Sequence, residues 1–245
     1  MNETDLKTLL RQYEELRRFE EKINNEKILF EKYPHIKNGK LISDNMHINL
    51  IPKFKQEDKH NFNLEIKYIN LISGLSITNE NIVNSFQLWD KIHNNNDELL
   101  MYNSYNFIKL YKLNEYIISD IKKFIDEAIS TICCIKQNKN LNKITIDSIG
   151  KLKTDLKKQQ PQLLEFKEFE GYFEIINDIC NSHKHSFTNN LEYIIGRDEN
   201  CVTAIYSKKN INLTKPKLYV VKLEDIINDF NNFYEKFFNI IDQLS

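Results

Sequence analysis

GYFEIINDICNSHKHSF (residues 171–187) is the stretch on which the fold turns. At about 100° per residue, Tyr172, Ile176, Ile179, Cys180, His183 and Phe187 fall on one face. Glu174, Asp178, Asn181 and His185 form a narrow polar stripe on the opposite face. This is the pattern of a helix laid with its apolar side against a bundle. After Phe187 the period changes from 3.6 towards 2. Leu191–Ile195, Cys201–Tyr206 and Leu218–Lys222 read as three short strands, and Gly196–Asn200 as the turn that makes the first two an antiparallel hairpin. Leu223-Glu224-Asp225 then opens a last helix, with Ile227, Phe230, Phe233, Phe237, Ile240 and Ile241 as its buried face. The expected fold class is mainly α: a helical bundle with a small antiparallel β-meander inserted before the C-terminal helix.

Upstream, residues 3 to 32 read as a helix, with Leu6, Leu9, Leu10, Tyr13, Leu16 and Phe19 at three- and four-residue steps and charged residues between them. This is a packing or oligomerising helix. Asn38-Gly39 signals a turn. Leu41 to Phe54 alternates apolar and polar residues, and Pro52 limits any strand there to an edge. Asn63 to Ile69 reads either as a strand or as the lead into a helix. A helical pattern begins at Asn79, capped by Thr78 or Asn79, with Ile82, Phe86, Trp89 and Ile92 on one stripe. Glu98 to about Gln137 is one long helix, apolar over a broad surface. Residues 146 to 160 form another helix, and Pro161 starts the one that reaches Lys184. Gly171 within it offers room for a neighbouring helix to approach closely. The expected division is 1–78, an N-terminal helix followed by a strand or loop segment, and 79–245, a helical bundle domain with its small sheet at about 191–222.

Composition narrows the function classes. Lys and Arg number 34 against 35 Asp and Glu, so no global basic field draws the chain to nucleic acid. With 5 Gly in all, a glycine-rich phosphate cradle is nearly excluded, and no cofactor is expected. Cys133, Cys134, Cys180 and Cys201 show no CxxC pair, which favours reduced, buried thiols and a cytoplasmic location. The charged N-terminus is no signal peptide, and no apolar run is long enough to span a membrane. A metal site built from Cys180, His183 and His185 fails on spacing, because residues two apart on a helix point to different faces. No metal is expected.

The polar stripe is the candidate catalytic site. His185 has the imidazole for general acid–base work near neutral pH, Asp178 the carboxylate to orient its ring, and Asn181 the amide to hold a phosphate or a 2′-hydroxyl. The stripe has this use only if it faces a cleft or a partner. Lys184 lies where it could meet a phosphate beside His185. His183 sits in the middle of the apolar face and reads as a core histidine with one satisfied nitrogen, or else as a second binding group.

The order of a long helix, a second helix ending in IINDICNSHKH and a closing helix resembles the HEPN-type helical proteins of prokaryotic defence and toxin systems. The resemblance covers roughly residues 80 to 245. It implies a bundle of four to five helices, a homodimer, and metal-independent RNA cleavage by a motif of Arg, a polar residue and His. His185 occupies the place of the family His, and Asn177 or Asp178 that of the Arg and its polar neighbour. The arginines here are Arg11, Arg17, Arg18 and Arg197, so the motif Arg is missing. Three readings follow. One is an HEPN-like protein of RNA handling or defence, a metal-independent or degenerate endoribonuclease with RNA as its partner. The second is a non-enzymatic interaction or oligomerisation module of the same fold. The third is a small-ligand binder with a pocket rimmed by Tyr and Phe.

Overall fold

In a computed structural model of the chain the described residues are 3–37, 58–93, 105–137, 144–185, 198–207 and 216–244; the side chains of 3–10, 12, 58–62 and 185 lie outside the description. In chain order the elements are α1 (Glu3–Lys32), α2 (Asp58–His93), α3 (Tyr105–Gln137), α4 (Ile149–Asp155), a 3-10 turn (Leu164–Phe169), α5 (Glu170–His185), β1 (Cys201–Tyr206), β2 (Lys217–Lys222) and α6 (Leu223–Leu244). The fold is mainly α, with a two-stranded antiparallel sheet directly before the C-terminal helix. The expected segments at 38–54, 94–104, 138–142 and 186–197, the first of the three strands and its turn among them, fall largely or wholly outside the described residues.

α3 is the hub. Seven consecutive residues, Ala128 to Cys134, are buried, so this end of the helix is enclosed on every side. α2, α4, α5, α6 and β1 all pack on it. Cys133 and Cys134 take part in that core as small apolar groups, and burial pushes the Cys134 thiol above its ordinary range. α6 closes the bundle with the six residues its periodicity marks, all buried, joined by Leu223, Ile226 and Tyr234. Its aromatic side chains interlock with α3, the 3-10 turn and α5. Phe230 meets Phe124 of α3 edge-on at 5.1 Å. Phe233 sits among Phe166, Phe169 and Phe173 with ring centroids 5.5 to 5.7 Å apart.

α2 corrects the reading of its region. It is a single helix of 36 residues that runs through Thr78 and Asn79, so neither a strand at Asn63–Ile69 nor a helix start at Asn79 exists. Hydroxyls along the helix bond back within it: Ser73 donates to the Ile69 carbonyl, Ser76 to that of Ser73 and Thr78, read as a cap, to that of Gly74. The division after residue 78 thus falls inside α2. Ile36, Leu64 and Leu75, from before that position, share one apolar core with Phe124 and Phe230.

The stretch from 146 to 184 also differs from the two helices expected. α4 ends at Asp155, and a 3-10 turn precedes α5. The buried Asp155 carboxylate accepts the backbone N–H groups of Gln162 (2.8 Å) and Leu163 (3.3 Å), which folds the chain back on itself before the 3-10 turn. A Cβ on Gly171 would meet nothing within 4 Å, so the close helix approach expected there does not occur.

Asn79 has a different task from capping. Its side-chain oxygen accepts the Ile36 N–H (2.7 Å), and its NH₂ donates to the Ile36 carbonyl (3.0 Å). Asn231 of α6 does the same one residue to either side, accepting from the Lys37 N–H (2.9 Å) and donating to the His35 carbonyl (3.0 Å). Two amides thus stand in for a neighbouring strand and fix residues 35–37 between α2 and α6. Asn79 is fully buried, so its loss strands two backbone groups away from water. Asn79→Ala is expected to lower stability by about 2–4 kcal/mol, read as a fall in the urea midpoint. Asn231→Ala, acting on a partly exposed segment, should cost less.

Candidate functional site

α5 presents Glu174 and Asp178 of its polar stripe to the protein's own sheet. β1 and β2 pair antiparallel, from Cys201 opposite Lys222 to Tyr206 opposite Lys217. An isolated two-stranded ribbon is marginal in water, and here side chains of α5 fasten both strands. Ser182 donates to the Ile205 carbonyl at 2.5 Å. His183 donates from Nε2 to the Thr203 carbonyl at 3.1 Å. These carbonyls are two residues apart and so share one edge of β1. On β2, the Tyr219 hydroxyl donates to Asp178 Oδ2 at 2.7 Å. Lys217 pairs with Glu174 at 2.7 Å and lies 3.7 Å from Asp178, while Lys153 of α4 reaches Glu174 at 3.6 Å.

The expectation that Asp178 faces outward is overturned. Its side chain is 8% exposed, under β2. Asn181 is half-buried and Lys184 exposed. His185 is the last residue of α5, and its side chain lies outside the description. His183 points inward, so the candidates His183, Asp178 and Lys184 do not converge on one space. Helical period gives the bearing of Asp178 correctly, but what covers that bearing is a strand about forty residues later.

The electrostatics are those of a clasp. The Lys217 ammonium, then Lys153, hold the Glu174 carboxyl below the usual carboxylate range, and Glu174 in turn raises Lys217. Burial, and then the hydrogen bond to Asp178, push the Tyr219 phenol up to about 12. Tyr219 therefore remains a proton donor through neutral pH. Lys217 and Tyr219 went unread in the sequence, yet their spacing of two on a strand carried the signal: both fall on one face of β2.

Among the described side chains of α5, His183 is the histidine of the site. A carbonyl can only accept, so Nε2 carries the proton and Nδ1 of the neutral ring is bare. That atom is buried and has no hydrogen-bond partner among the described residues. The Tyr111 ring meets the imidazole edge-on at 5.6 Å. Burial lowers the His183 pKa below its ordinary 6.5, against the Thr203 hydrogen bond and Glu115, which raise it; Lys112 acts with burial.

Two cavities bear on the ligand reading. The aromatic-rimmed one, beside Trp89, Phe107, Tyr111 and His183, holds only about 50 Å³. That suits a water or two, against the ~300 Å³ or more of a typical small-molecule pocket. A groove of about 590 Å³ lies between α2 and α3, with Leu71, Leu75 and Phe124 in its walls and Asp120 and Lys123 beside them. Burial raises the Asp120 carboxyl above its usual range. Tyrosine is absent from the described lining of this groove. Among the described residues no three His, Cys, Asp or Glu side chains group as a metal site, and no described helix is long and apolar enough to cross a membrane.

No protein-family model, curated protein or solved structure matches the chain, so the site rests on its own geometry. Two measurements test that geometry. Tyr219→Phe leaves the buried Asp178 without its O–H donor and should cost about 1–3 kcal/mol; a double-mutant cycle with Asp178→Asn should return a coupling energy between the two. The second concerns pH. Because His183 binds its proton less readily folded than unfolded, its share of stability is complete above pH 6.5 and is lost as pH falls below that value. His183→Gln, which keeps a donor for Thr203, should flatten the decline between about pH 7 and about pH 5 in chemical-denaturation series.

Proposed function

We propose that this chain is a non-enzymatic interaction and oligomerisation module on an HEPN-like scaffold, serving RNA handling or defence in the cytoplasm through the partners it gathers. The observation that carries this reading is the place of Asp178. An acid–amide–imidazole row needs its carboxylate free to orient the ring, whereas this carboxylate is buried and accepts the Tyr219 proton at 2.7 Å. Two residues of the stripe, Glu174 and Asp178, are given over to fastening a strand. The absent motif Arg points the same way, since Lys184 offers a point charge and no guanidinium fork for a phosphate. Four free cysteines, three of them buried, agree with a reducing compartment.

The test is incubation of the purified chain with total RNA, with and without chelator, alongside His185→Ala. Intact RNA at high protein concentration is the expected result. Chelator-resistant cleavage that disappears in His185→Ala would establish the ribonuclease reading in its place.

A further inference from the structure

α1 carries an apolar face that the other described residues leave uncovered. From Arg11 to Asn25 every described side chain is exposed, including Tyr13 (66%), Leu16 (62%), Phe19 (43%) and Ile23 (39%). Among the described residues the helix is held from Glu26 onward: Glu26 is buried, Lys32 and the Tyr33 hydroxyl meet Asp90 at 3.0 and 2.8 Å, and Phe30 stacks on His35 at 4.2 Å. A solvent-exposed helix that needs no partner is polar all round or laced with ion pairs. This one has its ion pairs, Arg11–Glu15 and Arg17–Glu21, both at 3.1 Å, and keeps an apolar stripe as well.

The stripe has a coiled-coil period. Leu9, Leu16, Ile23 and Phe30 recur every seven residues, and Leu6 and Tyr13 precede the first two by three. On a straight helix such a repeat drifts about 20° per heptad, so it stays in contact only with a helix that winds around it at the same rate. A second copy of α1 is such a helix. Charge permits the pairing: α1 has seven Lys and Arg against eight Asp and Glu, so two copies meet without single-sign repulsion. The exposed parts of Tyr13, Leu16, Phe19 and Ile23 amount to apolar surface on the order of 400 Å² per copy. With the stems of flanking long side chains added, two copies approach the ~1,000 Å² that specific association requires.

We infer that α1 is the self-association surface of this protein: two chains pair through the exposed Leu16–Ile23 seam of α1. This inference deepens the module reading above by naming the partner, a second copy.

The test is sedimentation equilibrium of the full chain. Wild type should show a concentration-dependent dimer, and L16E/I23E should weaken it at least ~100-fold in dissociation constant. Both positions are exposed and Glu is a good helix former, so the variant should keep the wild-type urea midpoint. Ile77→Glu, on the exposed rim of the α2–α3 groove, should leave the dimer unchanged. A wild-type monomer up to ~100 µM, or a dimer that survives L16E/I23E and yields to Ile77→Glu, would overturn the inference. Neither result bears on RNA cleavage, so failure here is distinguishable from failure of the module reading, which the RNA assay decides separately.

Discussion

The docking of a two-stranded ribbon onto α5 is the interaction on which the arrangement of the other elements depends. Among the described residues the strands have only one another as ladder partners. What holds them in place is a set of side chains drawn from four helices. Ser182 and His183 grip β1, Asp178 and Glu174 grip β2, and Lys153 braces Glu174. At the start of β1, a closed triangle of buried polar groups joins Ser85 of α2, Asn114 of α3 and Asn200. Asn200 then accepts the Leu223 N–H that begins α6. Every member of the triangle is satisfied, which is the condition under which a buried polar network adds order and not cost. The ribbon thereby joins α2, α3, α5 and α6.

This arrangement gives the polar face of the motif helix a structural use, because Glu174 and Asp178 hold β2. Titratable residues on one helix face are what an active site requires. They are equally what a helix requires if it must hold a strand whose exposed carbonyls and polar side chains need partners. The two cases separate by burial and by hydrogen-bond partner. Asp178 is buried against Tyr219, and His183 is committed through one nitrogen to β1.

Much of the architecture was legible in the sequence because its signals are periodic. The six buried positions of α6, the apolar face of α5 and the strands at 201–206 and 217–222 all follow from spacing alone. What could not be read depends on partners distant in the chain. Thr78 and Asn79 carry cap chemistry, yet Thr78 turns back to Gly74 and Asn79 reaches Ile36, forty-three residues away. Asp155 redirects the chain through a side-chain contact to Gln162 that no period records. The cover over Asp178 comes from Tyr219, forty-one residues on. Helical bearing gives a direction, and only tertiary structure says what stands there.

The paired amides at residues 35–37 have a mechanical consequence. α1 is an arm about 45 Å long, and its root is held by Asn79 from one helix and Asn231 from another, with Ile36 sunk in the core. Tension along the arm enters the body at its middle and loads four amide hydrogen bonds together. Bonds loaded in parallel yield together, whereas a tether at a frayed end peels one bond at a time. The anchorage ties the root of the arm to two helices at once.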